Sequence, residues 1–155
     1  MTYKQEVIFG LIYAPVTDEM FLGIKDKGAW LNGKRIRVSS FRQLSKSVLT
    51  STFSKTQQNK VLKLYPKLLP VFKRVRQFGS GALELSYLAA GRTDAVVLLG
   101  VHSYDVAAGV IIAKEAGAKI TSLSGRSWQL NDRDVAATNG LLHKTFLTLI
   151  KKAKI

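Results

Sequence analysis

The sequence changes its periodicity once, near Ser39, and that change restricts the folds open to it. Before it there are only strand signals. Residues 7–13 are apolar on both alternating faces, 15–19 supply turn chemistry around Pro15, and 20–24 resume the apolar run. Gly28 interrupts, Ala29-Trp30-Leu31 follows, and Asn32-Gly33 gives the two-residue hairpin signal that leads into 34–38. Residues 1–38 therefore read as a β-meander. A first strand that is apolar on both faces needs cover on both, so a second layer must pack against it.

After Ser39 strands alternate with helices. Residues 47–53 read as a strand, and 57–74 carry a helical period that puts Val61, Leu64, Tyr65, Leu68, Leu69 and Phe72 on one side and Lys60, Lys63, Lys67 and Arg74 on the other. Pro66 and Pro70 should kink or split that segment. Residues 75–78 form a short strand running into Gly79-Ser80-Gly81, 82–90 a helix ended by Gly91, and 95–99 a buried strand. A helix from Asp105 to Ala116 stops at Gly117, strands follow at 119–123 and 135–138, and residues 141–152 close the chain as a helix with a basic last turn. The fold class is α/β: a meander over 1–38, then an alternating α/β unit over 39–155.

The chain has 155 residues, 46% of them hydrophobic, enough for a core without staples. The absence of cysteine excludes disulfides, thiol nucleophiles, thiolate zinc sites and iron–sulfur clusters. Two histidines, His102 and His143, leave little for a His-rich metal site. No apolar run reaches the length of a membrane helix. Lys4 before the apolar run imitates the start of a signal peptide, but Glu6 sits at its edge and no small-x-small cleavage site precedes Pro15, so the expected location is cytoplasmic. The net charge of +14 admits nonspecific attraction to polyanions such as RNA, without a recognisable nucleic-acid-binding motif.

Two strand-to-helix junctions are built to receive anions, because the first N–H groups of a helix are unpaired and its positive dipole end faces outward. One is Gly79-Ser80-Gly81, whose glycines let a ligand approach the backbone; from the residues alone the simpler reading is a tight turn with Ser80 as an ordinary N-cap. The other is Tyr104-Asp105-Val106-Ala107-Ala108-Gly109, where Asp105 is the only acid between Ala95 and Lys114. Asp105 too reads as an N-cap, with the small residues after it allowing close helix packing. His102 reads as structural, and Asp132 and Asp134 as solvated loop residues.

At these residues the sequence resembles the inositol monophosphatase family of magnesium-dependent, lithium-sensitive phosphatases, specifically its C-terminal part. The likeness is carried by Gly10-Leu-Ile-Tyr-Ala-Pro15 with Asp18-Glu19-Met20-Phe21, by Gly28-Ala-Trp-Leu-Asn-Gly33, by Arg76-Gln-Phe-Gly-Ser-Gly81 running on to Asp94-Ala95, and by Tyr104-Asp-Val-Ala-Ala-Gly109. The last resembles the family's Trp-Asp-x-Ala-Ala-Gly signature, with Tyr104 for Trp. The resemblance implies part of an αβαβα sandwich, the meander being the remnant of the family's N-terminal domain. It also implies a Mg2+ cofactor, Asp105 as a metal ligand that also faces substrate, and Gly79, Ser80 and Gly81 beside the hydroxyls of a small phosphorylated polyol, sugar or nucleotide. The family's glutamate and its Asp-Pro-x-Asp-Gly-Thr segment, which supply most metal ligands, have no counterpart here: the three prolines follow Ala14, Tyr65 and Leu69. Leu98 stands where many members carry an acid that contacts substrate. The expectation is a truncated or split phosphomonoesterase, inactive alone, that pairs with an N-terminal half or with a second copy and uses no membrane. The alternative is a non-catalytic basic module for RNA or another polyanion.

Overall fold

The computed structural model describes residues 1–3 and 6–155; Lys4 lies outside the described residues. A four-stranded antiparallel meander is formed by β3 (Phe9–Ala14), β4 (Glu19–Ile24), β5 (Gly28–Leu31) and β6 (Lys34–Arg35), in that order. The expected first strand is divided: β2 (Glu6–Val7) pairs with β1 (Thr2–Tyr3) as a separate ribbon, and β3 starts after Ile8. The hairpin at Asn32-Gly33 forms with both residues at positive φ, as a tight turn between right-twisted strands requires. The Asn32 side chain also accepts the Met20 N–H at 2.7 Å.

The remaining chain supplies a five-stranded mixed sheet in the order β10 (Lys119–Thr121), β11 (Asp134–Thr138), β9 (Ala95–Leu99), β7 (Val48–Phe53) and β8 (Arg74–Arg76). β7 runs parallel to both β8 and β9, while β11 is antiparallel to β9 and to β10. Helices α2 (Gly81–Ala89) and α3 (Ser103–Glu115) lie between the two sheets, and α1 (Gln58–Leu68) and α4 (His143–Lys152) cover the other face of the five-stranded sheet. The layers are thus sheet, helix pair, sheet, helix pair. β9 reads as a continuous apolar run because it is central and buried on both faces.

Each core follows from one such interface. Phe21 and Ala29 of the meander share a cluster with Leu85, Leu88, Val110 and Ile112 of the helices and Val96 and Leu98 of β9. On the far side Leu64, Leu68, Phe72, Phe146 and Ile150 pack on Leu49, Val97 and Leu99. The meander sits unusually close to α3 because Gly10 and Gly23 face it: a Cβ at Gly23 would lie 2.6 Å from the Ile112 Cα. Glu115, in the last turn of α3, accepts the N–H groups of Asp26 and Gly28 and so locks the β4–β5 turn to the helix.

Three local expectations are corrected. Pro66 lies inside α1 without splitting it, and the helix ends instead just before Pro70. Leu69, expected on the buried side, is 54% exposed, because the chain turns away there and Phe72 fills the core from the turn. Asp132 and Asp134 are not simply solvated: Asp132 accepts from Arg126 and from Gln129 N–H, and Asp134 accepts Gly100 N–H at 2.9 Å and Lys60 Nζ at 2.6 Å.

Candidate functional site

The connections out of β7 and β8 run to opposite faces of the sheet: α1 links β7 to β8 on one face, and α2 returns over the other face to β9. The chain therefore reverses direction across the sheet between the carboxyl ends of β7 and β9, where an open α/β sheet leaves a crevice. A cleft of about 710 Å³ occupies that position. Its walls are Thr52 to Ser54 and Thr56 after β7, the Gly79-Ser80-Gly81 turn before α2, the Gly100 to Asp105 segment before and within α3, and Arg133.

Both expected junctions open into this one cleft, so the N-termini of α2 and α3 converge there with their positive dipole ends. Ser80 is the N-cap of α2, its hydroxyl accepting the Leu83 N–H at a long 3.4 Å, and Gly79 holds φ +75° before it. Gly81 sits in a tight space, where a Cβ would lie 3.0 Å from the Val106 side chain and 3.2 Å from that of Leu98, so both would have to shift to admit it. Leu98 itself is fully buried in the core. Asp105 is exposed and is not the N-cap of α3, a place taken by His102. It stands three residues into the helix and its Oδ2 accepts the His102 N–H at 2.8 Å, which fixes one oxygen and directs the carboxylate toward the helix start. The small residues after it serve packing as expected: a Cβ on Gly109 would sit 2.8 Å from the Leu85 Cβ.

Other members of the site carry weaker sequence signals. His102, expected to be structural, is exposed at the rim, stacked on Tyr104 at 4.8 Å between ring centroids. The Arg133 guanidinium donates to Val101 O at 2.8 Å and approaches His102 Nε2 at 3.1 Å, where that nitrogen must accept. Beneath the Gly79 turn, Glu84 is completely buried. Its Oε1 accepts from Thr52 Oγ1 at 2.7 Å and from Phe78 N–H at 3.1 Å, tying the end of β7 to the turn before α2, while Oε2 has no hydrogen-bond partner among the described residues. Burial pushes its pKa up to about 7 against these hydrogen bonds. The sequence signal for Glu84 was an acid in the apolar stripe of Gly81, Leu85 and Leu88.

The chemical capacity of the cleft is anion and hydroxyl binding: two helix N-termini, the Arg133 cation, and the hydroxyls of Thr52, Ser54, Thr56 and Ser80. It has a single exposed carboxylate, Asp105. Among the described residues no three His, Asp or Glu side chains come together as a metal site, fewer than the oxygen ligands that Mg2+ requires. These residues alone therefore do not fit a resident magnesium ion.

The sequence profile of the inositol monophosphatase family matches residues 1–154. Inositol monophosphatase 1 of Solanum lycopersicum is 38% identical over 147 residues, covering 92% of this chain and 54% of the tomato protein. Fructose-1,6-bisphosphatase of Pyrococcus furiosus is 41% identical over 156 residues, covering 96% and 58% respectively. The structure of an inositol monophosphatase from Anabaena superposes with a TM-score of 0.89 at 33% identity, covering 94% of this chain and 59% of that one. The chain thus spans little more than half the length of the relatives it matches. Since the profile covers almost every residue and the mixed α/β layers superpose on those of a solved member, the chain belongs to the inositol monophosphatase family.

Proposed function

We propose that this chain supplies the substrate-binding wall and one metal-ligating carboxylate of a phosphomonoesterase site that acts on a small phosphorylated polyol or sugar. The observation that carries this reading is the convergence of the α2 and α3 N-termini, with Ser80 and Asp105, on one cleft beside Arg133. In it the phosphate approaches the helix N-termini, where unpaired N–H groups and dipole ends balance its charge. Ser80 and the hydroxyls of Thr52 and Ser54 hydrogen-bond substrate hydroxyls. Arg133 holds the Gly100–His102 backbone through Val101 O, and the His102 N–H in turn holds Asp105. Magnesium, when bound in enzymes of this kind, acidifies a water and neutralises the phosphate. Asp105 would be one of its ligands, the others coming from outside the described residues. The uncovered face of the meander offers a surface where a segment bearing them can pack.

The test is complementation. Mixed with a polypeptide that carries the family's Asp-Pro-x-Asp-Gly-Thr segment, the chain should form a complex that releases phosphate from inositol 1-phosphate or fructose 1,6-bisphosphate only with Mg2+. Asp105→Asn should lower that rate on the order of 100-fold or more by removing a ligand at nearly constant volume. Vigorous Mg2+-dependent turnover by the 155-residue chain alone would overturn the shared-site reading. A complex without activity would overturn the assignment of catalysis and turn attention to Leu98.

A further inference from the structure

The acids of this chain are confined to part of the molecule. Between Asp26 and Glu84 there is none, while the same stretch carries thirteen Lys and Arg, and none follows Asp134. By contrast, residues 6–35 hold four acids (Glu6, Asp18, Glu19 and Asp26) and four cations, so the meander is locally neutral. The fold turns this sequence bias into a spatial one. α1 and α4 lie side by side as the outer layer on the five-stranded sheet, and β8 is the edge strand beside them.

Lys63 and Lys67 of α1, Lys73, Arg74 and Arg76 around the β8 edge, and Lys144, Lys151 and Lys152 of α4 are all exposed. None of the eight takes part in an ion pair among the described residues; the four pairs present use Lys25, Lys60, Arg92 and Arg126. Arg74 and Arg76 each donate only to a neighbouring carbonyl, at 2.8 and 3.0 Å. A surface helix ordinarily intersperses both signs of charge, which limits its repulsion. An outer layer of one sign, about 20 Å wide across five strands spaced roughly 4.8 Å apart, repels itself and gains by meeting a surface of regularly repeated negative charge.

We propose that the α1–β8–α4 layer is a docking surface for the phosphate backbone of nucleic acid, separate from the cleft and independent of its chemistry. The contact is to phosphates and carries no base readout, since no exposed aromatic ring lies on α1, β8 or α4 to stack on a base. A membrane surface is the poorer fit, because insertion needs a continuous apolar face, and the exposed apolar side chains on or flanking α1 and α4, which are Leu62, Leu69, Leu141 and Ile155, are separated in the chain by cations.

Fluorescence anisotropy with a short duplex of arbitrary sequence tests it. If about five phosphates are neutralised, affinity falls roughly 500-fold for a fourfold rise in salt from about 50 mM. The triple variant Lys63→Glu, Lys67→Glu, Lys151→Glu should abolish binding. The control triple Lys27→Glu, Lys34→Glu, Lys114→Glu makes the same change in net charge at exposed positions elsewhere and should retain it within a few-fold. Circular dichroism melts establish that both triples fold, and a Lys→Gln version of the first, with weaker but measurable loss, serves if the Glu version does not. Equal loss in the two triples would mean that net charge alone attracts the duplex and would overturn the proposal. So would capture by vesicles of anionic phospholipid, sensitive to the first triple, with no binding to the duplex.

Discussion

Glu84 and His143 are buried side chains that folding holds in their neutral forms, and they pull stability in opposite directions with pH. Glu84 has its pKa raised by burial from 4.5 to about 7. Between those values the folded chain keeps a proton that the unfolded chain has lost, so stability falls as pH rises through that window. His143, packed between Thr121 and Thr138 hydroxyls at 3.0 and 3.2 Å, has its pKa lowered from 6.5 to about 4 by burial and by the nearby Lys119 charge. There the unfolded chain is the one that binds the extra proton, so stability rises from about pH 4 to 6.5. Each shift corresponds to about 3 kcal/mol at most, so over most of this range the two offset each other. Glu84→Gln should expose a stability that climbs with pH up to about 6.5, and His143→Gln one that declines toward pH 7. Urea unfolding at several pH values measures both; a flat profile in His143→Gln would show that the Glu84 carboxyl is not held neutral, and a flat profile in Glu84→Gln that the His143 ring is not. For Glu84 the sequence carries only a weak signal, an acid in an apolar helical stripe, and for His143 none, because burial is decided by the packing of distant segments.

Among the elements, α3 decides how the molecule is layered. It touches the meander on one side and α2 beside it, and the close approach rests on Gly10, Gly23 and Gly109. At Gly23 an added Cβ would meet backbone atoms of Ile112, which cannot swing aside as a side chain could. Gly23→Ala should therefore destabilise by about 1–3 kcal/mol through overpacking, read as a lowered midpoint in denaturant. Gly33→Ala, where no atom lies within 4 Å of the new Cβ, should cost only the strain of its positive φ. Element type and order followed from periodicity for each long helix and strand, because a buried face imposes its period wherever the chain passes. Ends were less legible. α3 begins at Ser103 rather than at Asp105, since the carboxylate that caps its start reaches back from within the helix.

The whole molecule is polarised. One side is the acid-free helical layer; the other is the outer face of the meander, where Phe9, Leu11, Tyr13 and Met20 are each at least 36% exposed. They are joined across strands by the pairs Leu11 with Leu22 and Tyr13 with Met20. The inner face of the same sheet carries Gly10, Phe21, Gly23 and Ala29 against the helices, so among the described residues the sheet has cover on one face only. A contiguous apolar surface of this kind binds dyes and other polypeptides. Leu11→Lys with Met20→Lys should cut the fluorescence of a bound hydrophobic dye severalfold and leave the melting temperature nearly unchanged. Unaltered dye binding would locate the sticky surface elsewhere. Among the described residues no helix is long and apolar enough to cross a membrane.

The meander, the alternating unit after Ser39 and the two Gly- and Asp-bearing junctions are legible in the order of residues alone, because periodicity, turn chemistry and helix-start signals are local and each is written in a few adjacent residues. The cover expected on both faces of the first strand is met, among the described residues, on one face only, by α2 and α3; the side chains of Phe9, Leu11 and Tyr13 on the other face are exposed. That the junctions share one cleft emerges with the folded sheet, since it follows from β7 pairing in parallel with both β8 and β9, a choice made by side chains far apart in the chain. Folding likewise placed Arg133 beside His102 and Glu84 beneath Gly79, contacts across 31 residues in one case and through a buried hydrogen bond to Thr52 in the other. It also gathered cations from three separate segments into one layer. Charge and contact between residues distant in sequence have no periodicity to betray them; they exist only once the core has closed.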